Sequence, residues 1–224
     1  MLRPDYPLLT ERLLLRPFET GDLEELFAYQ SLPEVARFLY WEPRDLEESR
    51  VFLQQKMAAS TLGKEGDWLV MAVVDRADGR LMGEINLRWH SREHRQGELG
   101  YLFHPDFHGH GYATEAAEVG LRLGFEVLGL HRVTGRLDAR NDASARVLER
   151  LGMRREAHLR ENEFVKGEWS DEIVYAMLRR EWDARRPGRS AAGAGVQAGG
   201  QVDDGAAQRV GPPDREGHAE PGEQ

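Results

Sequence analysis

The run His108-Gly109-His110-Gly111-Tyr112-Ala113-Thr114 sets two glycines one residue apart at the head of a long helical pattern, an arrangement suited to holding an anion. Glycine adopts φ > 0 without steric cost and lets the backbone come close to a ligand. The first N–H groups of a helix have no intrahelical acceptor, so those of Tyr112, Ala113 and Thr114 point into the gap left by the turn. The helix dipole favours a negative group there by about 0.3 to 1 kcal/mol before any hydrogen bond is counted. A diphosphate is the anion expected, with the His108 and His110 imidazoles lining the loop as further donors.

Two common nucleotide loops do not match. No Lys-Ser or Lys-Thr pair follows the glycines, which argues against a P-loop NTPase. Gly109-x-Gly111 lies in mid-chain, and Ala113 does not complete the GxGxxG of a dinucleotide fold. His104, His108 and His110 invite a metal reading, but Pro105 breaks any helical register between them, the chain has no cysteine, and no carboxylates cluster beside them. No metal is expected. An ordinary strand-to-helix turn shares the short glycine pattern, so the loop needs support from its surroundings.

The elements around the loop interleave. A strand over residues 12–18 leads to a helix opening at Thr20 or Asp22, and a second helix over 46–59 follows the aromatic loop Phe38-Leu39-Tyr40-Trp41. Strands over 68–75, 81–88 and 98–103, separated by Asp78-Gly79 and by residues 91–96, suggest an antiparallel meander. A helix over 111–127 presents Ala116, Gly120, Leu123 and Val127 on one face. A strand over 131–139, a helix from Asn141, and strands over 154–164 and 171–178 complete a mixed α/β (α+β) sandwich of about seven strands.

Residues 108–113 resemble motif A of the GNAT N-acetyltransferase superfamily, [RQ]-x-x-G-x-[GA], with His108 standing where Arg or Gln is usual. Three more segments resemble the RimJ/RimL-type branch: Thr10-Glu11-Arg12-Leu13-Leu14-Leu15-Arg16-Pro17, Asn141-Asp142-Ala143-Ser144 running to Leu151-Gly152-Met153, and Lys166-Gly167-Glu168-Trp169-Ser170-Asp171. All four fall in the expected order within about residues 8–182. The resemblance implies a mostly antiparallel sheet flanked by about four helices and splayed between its fourth and fifth strands. It implies acetyl-CoA as cosubstrate, with the pantetheine arm between residues 98–104 and 137–141. A backbone N–H near Phe103 would polarise the thioester carbonyl.

Asn141 reads first as a helix N-cap, and Ser144 shares a helical face with Val147, Leu148 and Leu151 that points its hydroxyl inward. The resemblance adds further roles: Asn141 touching the cofactor arm, Ser144 protonating the departing thiolate, and Glu163, 19 positions after Ser144, acting as general base. The simpler readings are a back-bonded serine and a solvated strand-end carboxylate. Glu84 and Glu98 are further acidic candidates, Glu98 being structural or acting through water. His90 and His94 lie on a loop that could line the acceptor groove, where an imidazole can serve as base. Tyr40, Trp41 and Trp89, with acidic neighbours, could wall a pocket for an ammonium.

The chain has 224 residues, 40% of them hydrophobic, enough for one sizeable core. One domain over residues 1–186 is expected. Residues 187–224 lack Leu, Ile, Met, Phe, Tyr and Trp and read as a disordered tail. A net charge of −9 argues against a nucleic-acid surface and suits a cationic acceptor. The absence of cysteine excludes disulfides and a cysteinyl acyl-enzyme. No apolar run approaches the roughly 18 residues of a membrane span, and the first residues do not resemble a signal peptide, so a cytoplasmic setting is expected. The expected activity is acetyl transfer to an amine by direct attack, with a protein N-terminus favoured. The alternatives are a small amine (antibiotic, amino acid or polyamine) and a non-catalytic CoA-binding module. Dimers occur in the branch, so a homodimer is one implied state.

Overall fold

The computed structural model describes residues 1–185, so the expected domain boundary and the tail over 187–224 lie outside the described residues. Among the described residues, eight strands form one sheet in the order β1-β2-β3-β4-β5-β6-β8-β7: β1 Leu8–Leu9, β2 Leu13–Arg16, β3 Trp68–Asp75, β4 Leu81–Ser91, β5 Gln96–Phe103, β6 Arg132–Asp138, β7 Arg154–Val165 and β8 Glu168–Leu178. Every neighbouring pair is antiparallel except β5 and β6. The helices among the described residues are α1 Leu23–Gln30, α2 Pro33–Ala36, α3 Leu46–Ala58, α4 Tyr112–Arg122, α5 Asp142–Arg150 and α6 Arg179–Ala184.

Local chemistry explains the main turns and starts. The β3–β4 hairpin closes through Asp78-Gly79 with Gly79 at φ 79°, and the β7–β8 hairpin through Lys166 at φ 53° and Gly167 at φ 82°. Left-handed backbone at both central positions of a two-residue turn matches the twist of the paired strands. Helix α3 opens on a reciprocal cap, Glu48 N–H donating to Asp45 Oδ1 at 2.8 Å and Asp45 N–H to Glu48 Oε2 at 2.9 Å.

Each face of the sheet has its own core. Leu15, Met71, Ile85, Leu87, Leu99 and Phe103 pack with Ala116, Ala117 and Leu121 of α4, Leu148 of α5 and Trp182 of α6. On the other face Val70, Ala72 and Leu81 pack with Leu26 and Tyr29 of α1 and Leu53 of α3. Gly120 makes the α4 contact close, since a Cβ there would sit 2.6 Å from a Leu99 methyl.

Three details differ from the sequence reading. The eighth strand is the two-residue β1, which pairs Leu8 with Leu15 and Leu9 with Leu14, too short for a periodic signal. The expected fourth and fifth strands are therefore β5 and β6. Helices α2 and α6 are also short, four and six residues. Finally, α4 continues into a wider turn, Leu123–Val127, in which the Leu128 N–H donates to the Leu123 carbonyl at 2.9 Å. The wider turn rotates Val127 off the core face, and it is 60% exposed.

Candidate active site

Strands β5 and β6 pair only at Gln96↔Arg132, Gly97↔Val133 and Glu98↔Thr134, after which they diverge. Helix α5 lies tight against β6, where Gly135 leaves room: a Cβ at Gly135 would be 2.9 Å from both Leu148 methyls. The His104 N–H donates to Met82 in β4 at 2.9 Å. Strand alternation then turns the amides of Tyr101 and Phe103 the other way, into the opening, while that of Leu99 belongs to the last paired rung at Glu98↔Thr134. These are backbone donors at the edge of a cleft, the group needed to polarise a carbonyl.

The Tyr101 hydroxyl crosses that opening and donates to the Ser144 carbonyl at 2.8 Å. Burial pushes the Tyr101 pKa well up, so it remains a protonated donor. Asn141 caps α5, its Oδ1 accepting from the Ser144 N–H at 3.0 Å, while its own N–H donates to Asp138 at 2.8 Å. Ser144 is half-buried, and among the described residues its Oγ makes no bond back to the preceding turn. The first turn of α5 is thus held from two sides, and the Ser144 side chain lies within hydrogen-bond reach of the Tyr101 phenol. Sequence reasoning gave Tyr101 no role beyond the strand.

Gly109 (φ 83°) and Gly111 (φ 82°) both take left-handed backbone, and Gly111 is the N-cap of α4. Open space surrounds the position of a Gly109 Cβ. Within the first turn of α4 the Thr114 hydroxyl is buried with no hydrogen-bond partner among the described residues. Exposed glycine amides, a helix start and an orphan hydroxyl fit a diphosphate. His108 Nε2 donates to the Phe103 carbonyl at 3.1 Å and ties the end of β5 to the loop. That bond puts the proton of the neutral ring on Nε2, so Nδ1 has none to give an anion. His110 is exposed and stacks on Tyr112. Among the described residues no three His, Cys, Asp or Glu side chains are grouped to hold a metal ion.

On the opposite face lie most of the acceptor-side candidates. Glu163 in β7 is half-buried and accepts from the Tyr40 hydroxyl. Glu163 and Glu98 both act on the Arg136 guanidinium. Burial raises the Glu98 pKa, opposed by the charges of Arg136 and Arg88. Two residues missed from sequence complete the group: Glu172, which accepts from Arg136 Nε at 2.6 Å, and Asn162, whose Nδ2 donates to Glu172 at 2.8 Å. The alternation Glu172/Ile173 in β8 was the available signal.

Glu84, Trp89 and His94 are not brought to this group. Glu84 is 5% exposed, with one oxygen bonded to the Tyr29 hydroxyl at 2.9 Å and the other to Lys56 Nζ at 2.6 Å. Trp41 packs on the α1–α3 core, but Trp89 shares the face of Leu87 and packs on the α4 core, across the sheet from Tyr40 and Trp41. His90 and His94 are exposed, His90 close enough to Glu98 to act on its charge.

Residues 12–154 match the family model described as "Acetyltransferase (GNAT) domain". Among curated proteins, the chain is 32% identical over 177 residues to the uncharacterized N-acetyltransferase YnaD of Bacillus subtilis, covering 79% of this chain and 99% of that one. It is 25% identical over 178 residues to the spermidine N(1)-acetyltransferase of Escherichia coli, covering 79% and 92%. A crystal structure of a GNAT-family acetyltransferase from Bacillus anthracis superposes with a TM-score of 0.70 at 33% identity, covering 77% of this chain and 98% of the other. Together with the splayed sheet and the glycine loop at the start of α4, these matches make the chain a member of the GNAT acetyltransferase family, an acyltransferase that draws on acetyl-CoA.

Proposed function

We propose that this acetyltransferase acts on the α-amine of a protein N-terminus, by direct attack in a ternary complex. Bound acetyl-CoA supplies the thioester carbonyl and a thiol leaving group. The amides of Gly109, Gly111, Tyr112 and Ala113, with the Thr114 hydroxyl, receive the diphosphate. Asn141 orients the arm through the side-chain amide opposite its capping oxygen. The amide of Tyr101 or Phe103 polarises the carbonyl as the acceptor nitrogen attacks. Glu163 takes the amine proton through water, and the Ser144 hydroxyl gives a proton to the departing sulfur and regains one from solvent.

The observation supporting this reading most strongly is the convergence at the β5–β6 opening. The β5 amides beyond the last β5–β6 pair and the Ser144 hydroxyl flank one cleft, joined by the Tyr101 phenol. An α-amine with a pKa near 8 loses its proton at pH 7 for roughly 1.4 kcal/mol, against about 4.6 kcal/mol for a lysine. A carboxylate working through water meets the smaller demand. A cysteine-free chain suits a cytoplasmic setting.

The carboxylates of Glu98, Glu163 and Glu172 on the acceptor face favour a second reading, a polyamine or other small cationic amine. Single-turnover acetyl transfer to N-terminal peptides, polyamines, amino acids and aminoglycosides separates the two. Thiol release with peptides is expected. Release with small amines alone would replace the first reading by the second, and release with none would leave a CoA-binding module.

A further inference from the structure

Arg12, just ahead of β2, makes an unusual set of contacts with a segment about 100 positions away. Its Nε and Nη2 each lie 2.7 Å from Glu115 Oε2, and its backbone N–H donates to Glu115 Oε1 at 2.9 Å. Its Nη1 donates to the His110 carbonyl at 2.9 Å, and its guanidinium lies 4.4 Å from the centre of the Tyr112 ring. The Thr10 hydroxyl adds a 2.6 Å bond to Glu115. One cation therefore touches the end of the loop at His110 and the first turn of α4.

Two physical consequences follow. A trans peptide points its C=O and N–H in opposite directions, so a His110 carbonyl held by Arg12 turns the Gly111 N–H away from Arg12. Glu115 is the fourth residue of α4, and its carboxylate lies one guanidinium away from the His110 carbonyl. Burial works to raise the Glu115 pKa, but hydrogen bonds from Thr10 and Arg12 outweigh it, so the group is an anion at neutral pH. An unscreened carboxylate in the first turn of the helix would oppose an anion bound at its N-terminus.

We propose that Arg12 is a positioning residue for the cofactor: it aims the Gly111 amide at the diphosphate and cancels the Glu115 charge that would otherwise oppose binding. The inference rests on the reading that Gly109 to Ala113 receive the diphosphate.

Steady-state kinetics on the full chain test it, comparing acetyl-CoA with acetyl-pantetheine, which lacks the diphosphate. Arg12→Gln is expected to raise KM for acetyl-CoA about tenfold, equivalent to about 1.4 kcal/mol. Its kcat should hold within about twofold, with KM for acetyl-pantetheine unmoved, because the change concerns only groups facing the diphosphate. Adding Glu115→Gln should recover much of the lost affinity, since it removes the repelling charge. A purely structural pair would instead give equal KM changes with both substrates and a double variant no better than the single, and either result overturns the proposal. Should Arg12→Gln fail to fold, Glu115→Gln alone decides: KM for acetyl-CoA equal to or below wild type supports the inference, and a rise contradicts it. A wild type indifferent to the diphosphate, with equal KM for both substrates, would instead remove the reading of the loop itself.

Discussion

The Tyr101 hydroxyl and the Ser144 carbonyl, 2.8 Å apart, join the unpaired half of β5 to the first turn of α5. This bond spans the opening in which the acyl group is expected to react. Tyr101→Phe keeps the ring and removes only the bond. It should cost about 1 kcal/mol of stability, read by chemical denaturation, and lower kcat several-fold as the first turn of α5 loosens. Unchanged stability and turnover would show that the asparagine cap alone holds the turn.

Ser144→Ala keeps the N–H that Asn141 caps and removes only the hydroxyl. Turnover should fall by about a hundredfold, the usual scale of a lost general acid, with CoA affinity nearly unchanged in titration calorimetry. A wild-type rate would take Ser144 out of the mechanism.

Glu163→Gln should slow acetylation of an N-terminal peptide at pH 7, and the deficit should shrink above about pH 8, where the amine is already neutral. A deficit constant from pH 6.5 to 9.5 would mean that Glu163 supports structure, through Tyr40 and its strand, rather than proton transfer.

Burial raises the Glu98 pKa in the folded chain. Below the unfolded carboxyl value both states are protonated and folding bears no penalty, and as pH rises through the folded value the penalty appears in full. Glu98→Gln should therefore raise the unfolding temperature at pH 7.5, with the gain fading toward pH 4. A gain that grows on acidification would reverse the assignment.

Lys56 and Glu84 form a largely closed ion pair, with side chains 13% and 7% exposed. Lys56→Met leaves the carboxylate buried with Tyr29 as its remaining partner and should destabilise the fold by about 3 kcal/mol. Denaturant titration would measure it. A loss below about 1 kcal/mol would place Glu84 within reach of water, and so of an acceptor.

Where a short apolar run is bounded by polar turns, the sequence was enough to locate elements: the strand expected over 68–75 is β3, Trp68–Asp75, and the N-cap role of Asn141 follows from its residue type and position. What escaped depends on contacts between distant segments. Nothing near Arg12 indicates that its side chain ends at Glu115, and nothing near Tyr101 names the carbonyl it meets. Trp89 was legible in part, because it alternates with Leu87 and so belongs to the α4 face. The His108 bond to Phe103 and the exposure of Val127 depend on local turn geometry, which residue periodicity does not encode.

Calorimetric titration of CoA into the wild type and into Gly111→Val tests the central assignment most directly. Valine disfavours the φ of 82° that Gly111 adopts at the head of α4, so the amides there should lose their shape. The account predicts clear binding heat with the wild type and affinity weakened at least about tenfold in the variant. Equal heat and affinity in both proteins, or no heat from the wild type at millimolar CoA, would contradict it.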